Sequence, residues 1–376
     1  MGREKVSERV VKIPVTKVPL LDRALLLGPP GVGKTEIVRA KAREEAERMG
    51  RVFIDLREAS PEVIEKVIQE PQKYYVFLRV VAPHVTPEDV GVPRVRNASY
   101  VDFLPLKYFY FLSLPGIAGL LFIDELNNVQ RDDALTMFFS LIQEKEVAYN
   151  IKLSPLVKVI AAGNESEWSE VARALPWPLI NRMTVFYVSA PSPQEWASYM
   201  EARYGEGWER LTAAYLQIHQ DRMLKSPPPG AENVNFPTPR AWTEVALLLK
   251  QLPYHEPDLV QAVCVGRLGP EVGFDFAAFI VDTIDTATIE RSLRDPAFFS
   301  GLSLGKKVRI LNAVANNDAL LEKATPLVQH LVLNERDMAI AFLLMMPRIK
   351  RLRYISANRE LLSPLLNAVL PYLKGE

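Results

Sequence analysis

The run Gly28-Pro29-Pro30-Gly31-Val32-Gly33-Lys34-Thr35 constrains this chain more than any other stretch of it. It fits G-x-x-x-x-G-K-[ST] in full, a loop whose glycines let backbone N–H groups turn inward around a phosphate. The apolar run Ala24-Leu25-Leu26-Leu27 precedes it and stops at glycine, as a buried parallel strand does. Good helix formers follow from Thr35 to Met49, ending at Gly50. A strand, a glycine loop and a helix in that order aim the positive end of the helix at the loop, where an anion is held. In that frame Lys34 reaches the β- and γ-phosphates of a nucleotide and the Thr35 hydroxyl takes Mg²⁺. A glycine-rich turn with a chance lysine would give the same string in on the order of one chain in a hundred. Its position between a strand and a helix favours nucleotide binding.

Leu120-Leu121-Phe122-Ile123-Asp124-Glu125 is an apolar strand ending in two acids. Such a strand lifts Asp124 to the carboxyl edge of a sheet, beside the phosphate loop, to hold the Mg²⁺ shell. Glu125 projects elsewhere and is placed to polarise water for attack on the γ-phosphate. An ordinary solvated strand end reads the same way, but not with a phosphate loop earlier in the chain. Transfer of phosphate to a small substrate needs no second acid there, so the pair favours hydrolysis.

The patterning extends this frame. Short apolar strands at Val52 to Leu56, Tyr74 to Val81, Lys158 to Ala162 and Thr184 to Val188 alternate with helices at about Ser60 to Gln69 and Asp132 to Glu144. That alternation over about 190 residues predicts a parallel, doubly wound α/β sheet. Residues 1 to 23 read as an extended lead-in, and Val90 to Gly119 as loop or hairpin. From Ser192-Pro193-Gln194-Glu195, a helix-start signature, the pattern turns helical. A Pro-rich loop headed by Pro227-Pro228-Pro229-Gly230 leads to a further helix at Thr238-Pro239-Arg240-Ala241, and beyond Pro253 the chain is helical to its end. Segment breaks are expected near 190 and 255, giving 1–190, 191–255 and 256–376.

Taken with Phe122-Ile123-Asp124-Glu125-Leu126-Asn127, Ala161-Ala162-Gly163-Asn164, Leu179-Ile180-Asn181-Arg182-Met183 and Pro237-Thr238-Pro239-Arg240-Ala241, the phosphate loop resembles the MoxR branch of the AAA+ ATPases. The resemblance covers roughly residues 20 to 255 and fades into the tail. It implies a P-loop AAA+ core with inserted β-hairpins at Val95 to Pro115 and Val147 to Pro155, an α-helical lid, and an all-α C-terminal region. It makes Asn164 the sensor 1 asparagine that orients the attacking water, and Arg240 the sensor 2 arginine at the start of a lid helix. Arg182 falls on the arginine finger, which the family inserts into the neighbouring subunit's site. The family's Asp-Arg-Phe is Asn181-Arg182-Met183 here, so the arginine remains and its flanks differ. A guanidinium near the γ-phosphate is worth roughly 10³ to 10⁵ in rate.

Arg173 is a weaker candidate for a second intersubunit arginine, balanced against a structural role. Asn127 and Asn128 orient the carboxylates or cap the helix at Asp132. The aromatics Tyr100, Phe103, Tyr108, Phe109, Tyr110 and Phe111 line a pore or, for most, pack on the sheet. The segment Leu259 to Phe279 also resembles the region after the lid in MoxR-type ATPases, which are often encoded beside a protein bearing a von Willebrand factor A domain. The resemblance thus implies a homo-oligomeric ring, six subunits in the family, that uses ATP and Mg²⁺ to remodel such a partner.

Composition excludes some alternatives. Lysine plus arginine equal aspartate plus glutamate at 45 each, so no overall field draws the chain to nucleic acid or anionic membrane. A nucleic-acid motor or loader is therefore the runner-up, lacking a recognised DNA-binding module. Cys264 is the lone cysteine, expected as a buried apolar side chain in a reducing compartment. His255 and His330 lack metal-ligand spacing. The longest apolar stretch, Phe109 to Ile123, is broken by Pro115-Gly116 and falls short of the roughly 20 residues of a spanning helix. The charged start Met1-Gly2-Arg3-Glu4-Lys5 has no signal-peptide run, so a cytoplasmic location is expected.

Overall fold

The computed structural model describes residues 10–365 apart from 87–88, 90, 97–99, 106, 149–150, 166–167, 169–171, 227–233, 253–255 and 282–283. The Pro227 to Gly230 run, His255, and the side chains of Tyr100 and Phe103 lie outside the described residues. Two compact units divide the chain, Met1–Ser189 and Ala190–Glu376.

In the first unit come β1 (Lys12–Pro14), β2 (Ala24–Leu27), α1 (Lys34–Arg48), β3 (Val52–Asp55), α2 (Pro61–Gln69) and β4 (Tyr74–Val81). An antiparallel hairpin of β5 (Gly91–Arg96) and β6 (Tyr100–Pro105) leads to α3 (Lys107–Leu112) and β7 (Ala118–Asp124). Then follow α4 (Asp132–Gln143), a small hairpin of β8 (Glu146–Ala148) and β9 (Ile151–Lys152), β10 (Val157–Gly163), α5 (Trp177–Ile180) and β11 (Thr184–Ser189). Seven of the strands form one sheet in the order β1-β11-β2-β10-β7-β4-β3, and every pair in it is parallel.

The strands that read as unbroken apolar runs are buried on both faces, as parallel strands must be when helices cover both sides. All of β7 is buried. Alternate residues divide between the faces. Leu25, Val76, Leu78, Leu121, Ile123, Val159 and Ala161 join the core made with α2, α3 and α4. Their neighbours Leu26, Phe77, Phe122 and Ile160 are also buried, on the face covered by α1. That helix buries Val38, Ala42 and Ala46 and reaches the sheet again through Glu45, which accepts from the Tyr75 hydroxyl at 2.8 Å. The core is thus the parallel, doubly wound α/β sheet that the sequence implies, with its first hairpin at residues 91–105 and not at Val95 to Pro115.

Two local readings change. The lead-in supplies an edge strand, β1, in register with β11 through Ile13 and Val188. Residues 107–112 form α3, a helix where the sequence reads as loop or hairpin, because KYFYFL has weak helix formers and its burial decides instead. Phe109 and Phe111 are buried, while Tyr108 and Tyr110 are 40% and 43% exposed.

The second unit is helical: α6 (Pro193–Tyr204), α7 (Leu211–Ile218), α8 (Pro239–Gln251), α9 (Pro257–Val281) and α10 (Thr286–Arg294) come first. They are followed by α11 (Pro296–Ser300), α12 (Leu304–Asn316), α13 (Asp318–Leu321), α14 (Thr325–Asn334), α15 (Arg336–Met345) and α16 (Arg348–Ala357). Ser192 opens α6 with a full capping box to Glu195, and Pro193 takes the first turn, as the local sequence predicts. One apolar core runs from Trp196 to Leu365 and draws on helices before and after residue 255. Cys264 lies within it, and burial pushes its thiol up to about 12. His330 shares hydrogen bonds with Ser300 and Asn334, an ordinary polar environment.

Candidate functional site

The carboxyl end of β2, an inner strand between β11 and β10, delivers the glycine loop to the start of α1. Gly31 and Gly33 take positive φ of 72° and 93°, a region where a side chain would clash. Gly33 is the N-cap of α1, and no side chain caps it. The first N–H groups of the helix are therefore left facing the loop rather than a capping oxygen. Pro29 and Pro30 fix the loop's entry, and Val32 is buried beneath it.

Lys34 is buried. Its amine donates to the Gly28 carbonyl at 2.8 Å and the Pro29 carbonyl at 2.9 Å, closing the loop around its own backbone. A longer bond of 3.2 Å runs from the same amine to Asn164 Oδ1, at the end of the neighbouring strand β10. Gly28 can be nothing larger, since a Cβ there would lie 2.5 Å from the Val188 carbonyl oxygen on β11.

Asp124 ends β7 on the face that carries α1. Thr35 Oγ1 donates to its Oδ2 at 2.9 Å. Two hard oxygens thus meet at the mouth of the loop, a set suited to Mg²⁺, which takes one or two protein oxygens and keeps water or phosphate for the rest. Glu125 follows at φ 58° and ψ 36°, a left-handed conformation that a non-glycine residue seldom adopts. The turn parts the two carboxylates. Asp124 stays against Thr35, while Glu125 accepts from Asn128 Nδ2 at 3.3 Å.

Asn127 does not cap the following helix, whose N-cap is Arg131 without a side-chain bond. It clamps Asn164 instead. Its Nδ2 donates to the Asn164 carbonyl at 2.6 Å, and its Oδ1 accepts from the Asn164 N–H at 3.0 Å. Of the two roles open to Asn127 and Asn128, Asn128 has the orienting of a carboxylate, through Glu125, and Asn127 has neither.

Sequence reasoning missed one member of the cluster. Arg79, on β4, places Nε 2.9 Å and a terminal guanidinium nitrogen 2.7 Å from Asp124 Oδ2. The signal was present: an arginine inside YYVFLRVV requires a partner, because charges in buried strands are paired.

The arginines named from the sequence have partners or places of their own. Arg182 is exposed just after α5 and bonds Gln143 at the end of α4, so it turns away from the Lys34–Asp124 cluster. Arg173 donates to Asp132 Oδ1 at 3.0 Å and its backbone N–H to the Asn127 carbonyl at 2.9 Å, a structural pairing that steadies the start of α4. Arg240 is exposed in the first turn of α8, behind the Thr238 cap, in the second unit.

Fold and site together define a class: an α/β protein with a phosphate loop at the end of an inner strand, an amide at the end of the adjoining strand and an acid at the end of the one beyond it. Compared with models of known families and with curated proteins, the sequence matches none. Among solved structures it is similar to PCH-2 of C. elegans, at 12% identity and a TM-score of 0.25 over 68% of this chain and 59% of that one. The chain thus spans less than two thirds of PCH-2. It is also similar to the RuvB Holliday junction branch migration motor of Thermotoga maritima, at 14% identity and a TM-score of 0.29 over 86% and 80%. A third is NtrX from Brucella abortus in complex with ATP, at 14% identity and a TM-score of 0.22 over 85% and 69%. Superpositions this loose transfer nothing, and the fold class stands on strand order and burial. Among the described residues no helix is long and apolar enough to cross a membrane.

Proposed function

We propose that this chain binds ATP with Mg²⁺ at the Gly28 to Thr35 loop and hydrolyses it, as the AAA+ ATPases of the MoxR type that its motifs resemble. What carries the reading is one hydrogen-bonded cluster in which Lys34 meets Asn164 and Thr35 meets Asp124. These residues come from a helix start and two strand ends, brought side by side by the sheet order.

In this reading the uncapped start of α1 and the Lys34 amine hold the phosphates. Thr35 and Asp124 hold Mg²⁺, which neutralises charge on the phosphate oxygens. Glu125, turned off the strand, accepts a proton from the attacking water, and Asn164 fixes that water's position. Asn127 holds Asn164 by its backbone, leaving the side chain to face the loop. Arg182 serves the site of a neighbouring copy in a ring, which accords with its turn away from its own cluster. Residues 191–255 act as the lid carrying Arg240, ahead of the helical region 256–376. The work done is remodelling of a protein partner, by the family resemblance one bearing a von Willebrand factor A domain.

Glu125→Gln tests the chemistry. A fluorescent ATP analogue should bind it as it binds the parent chain, while turnover falls roughly 10²- to 10⁴-fold, the usual worth of a general base. Undiminished hydrolysis would remove Glu125 from the role. The same variant, held in its ATP state, is the bait for a partner: a protein retained with ATP and lost without it identifies the client.

A further inference from the structure

The Asp124 carboxylate has a counter-charge built into the sheet, and that bears on how a metal reaches it. In the register of β4 against β7, Val81 faces Asp124 and Arg79 faces Phe122. Residues two apart on a strand share a face, so Arg79 and Asp124 stand diagonally on the side covered by α1. The Arg79 guanidinium approaches one oxygen only, Oδ2, at 2.9 and 2.7 Å. Thr35 Oγ1 donates to that same oxygen at 2.9 Å. The other oxygen, Oδ1, accepts the Glu125 N–H at 3.1 Å.

Arg79 is therefore not a forked structural pair spread over both oxygens. It sits on the single oxygen that, with Thr35, makes up the metal-holding pair. The Asp124 side chain is 9% exposed and that of Arg79 35%. The acid is thus held in place while the guanidinium reaches solvent and has somewhere to go. A dication between Thr35 and Asp124 meets a cation already on its ligand, and like charges at that distance repel strongly where water is scarce.

We propose that Arg79 is a positioning residue that gates the metal. It holds Asp124 when no nucleotide is bound, and it must leave Oδ2 for Mg²⁺ and nucleotide to enter together, which raises the Mg²⁺ concentration the site requires. The proposal rests on the reading of Asp124 and Thr35 as the metal pair. It differs from a purely structural ion pair in what it predicts: such a pair, once broken, loosens the fold without easing metal entry.

The experiment measures binding of a non-hydrolysable fluorescent ATP analogue across a Mg²⁺ titration, for the parent chain, Arg79→Met and Arg79→Lys. Thermal melts check that each variant is folded. Arg79→Met should reach half-saturation at roughly a tenth of the parent's Mg²⁺ concentration, a shift of one decade or about 1.4 kcal/mol by the usual conversion. Arg79→Lys, which restores a cation, should return the requirement toward that of the parent. A half-saturation point that stays fixed or rises in a folded Arg79→Met overturns the gate and leaves the nucleotide site standing. If the parent chain's analogue binding ignores Mg²⁺ altogether, the proposed function falls and the gate falls with it.

Discussion

The side-chain amide of Asn127 closes on the backbone of Asn164 from both ends, and the chain makes room for it with Gly163. A Cβ at Gly163 would stand 2.5 Å from Asn127 Oδ1, so any larger residue must push the amide away. Two different substitutions should then give one phenotype. Asn127→Ala removes the amide and Gly163→Ala displaces it, and each leaves the half-buried Asn164 N–H and carbonyl without their partner. Because Lys34 and the glycine loop are untouched, affinity for an ATP analogue should hold within a few-fold while kcat falls at least tenfold in both variants. Loss of affinity with kcat preserved would show that the clamp serves the loop and not Asn164. This relation was only half legible in the sequence. The string Leu126-Asn127-Asn128 ahead of a helix reads as a cap as readily as an orienting group, because capping depends on backbone angles that no string of letters reveals. The Arg79–Asp124 pair was hidden for a related reason. Strand register, not spacing along the chain, brings those residues together.

At the scale of elements, what the sequence disclosed was what is local. The phosphate loop before α1 and the capping box of α6 are contiguous strings, and the structure places each helix start within a residue of its signal. The pairing of α6 with α16 was not readable. Glu201 looks like a surface acid on α6, and Arg351 like one of several basic residues in Arg348-Ile349-Lys350-Arg351-Leu352-Arg353. Yet Arg351 is wholly buried and donates to Glu201 Oε1 at 2.7 Å and Oε2 at 2.5 Å, across 150 residues of sequence. Arg210 adds a second, looser approach at 3.6 Å. Removing the acid from such a group leaves a buried guanidinium short of its counter-charge, which costs about 3–5 kcal/mol. Glu201→Ala should therefore lower the unfolding free energy of the second unit by that much, read from the fall of its urea midpoint at unchanged slope. Tryptophan emission is a suitable probe, since Trp196, Trp208 and Trp242 are all buried in that unit's core. A loss under about 1 kcal/mol would make the pair a neutral ornament, as some buried ion pairs are.

At the scale of the whole molecule the chain's own site contains an acid, an amide, a lysine and a hydroxyl, but the finger arginine named from the sequence lies outside the cluster, on Gln143. If Arg182 acts on a triphosphate, it acts on another copy's, and a head-to-tail contact of that kind closes into a ring only through identical successive interfaces. The consequence can be tested with two dead proteins. Lys34→Ala lacks its own grip on phosphate but keeps Arg182, and Arg182→Ala binds nucleotide but has no finger to offer. Neither should hydrolyse ATP alone. Mixed in equal amounts and allowed to exchange subunits, one interface type pairs an intact loop with an intact finger, and random head-to-tail mixing makes it roughly a quarter of all interfaces. Turnover should then return to about a quarter of the parent rate per subunit and decline on dilution as rings come apart. Had Arg182 worked on its own chain, each polypeptide would still carry its own defect and the mixture would stay as inactive as its parts. A mixture without activity, under conditions where light scattering shows the two variants co-assembled, therefore rules out the shared site and returns Arg182 to a surface contact with Gln143.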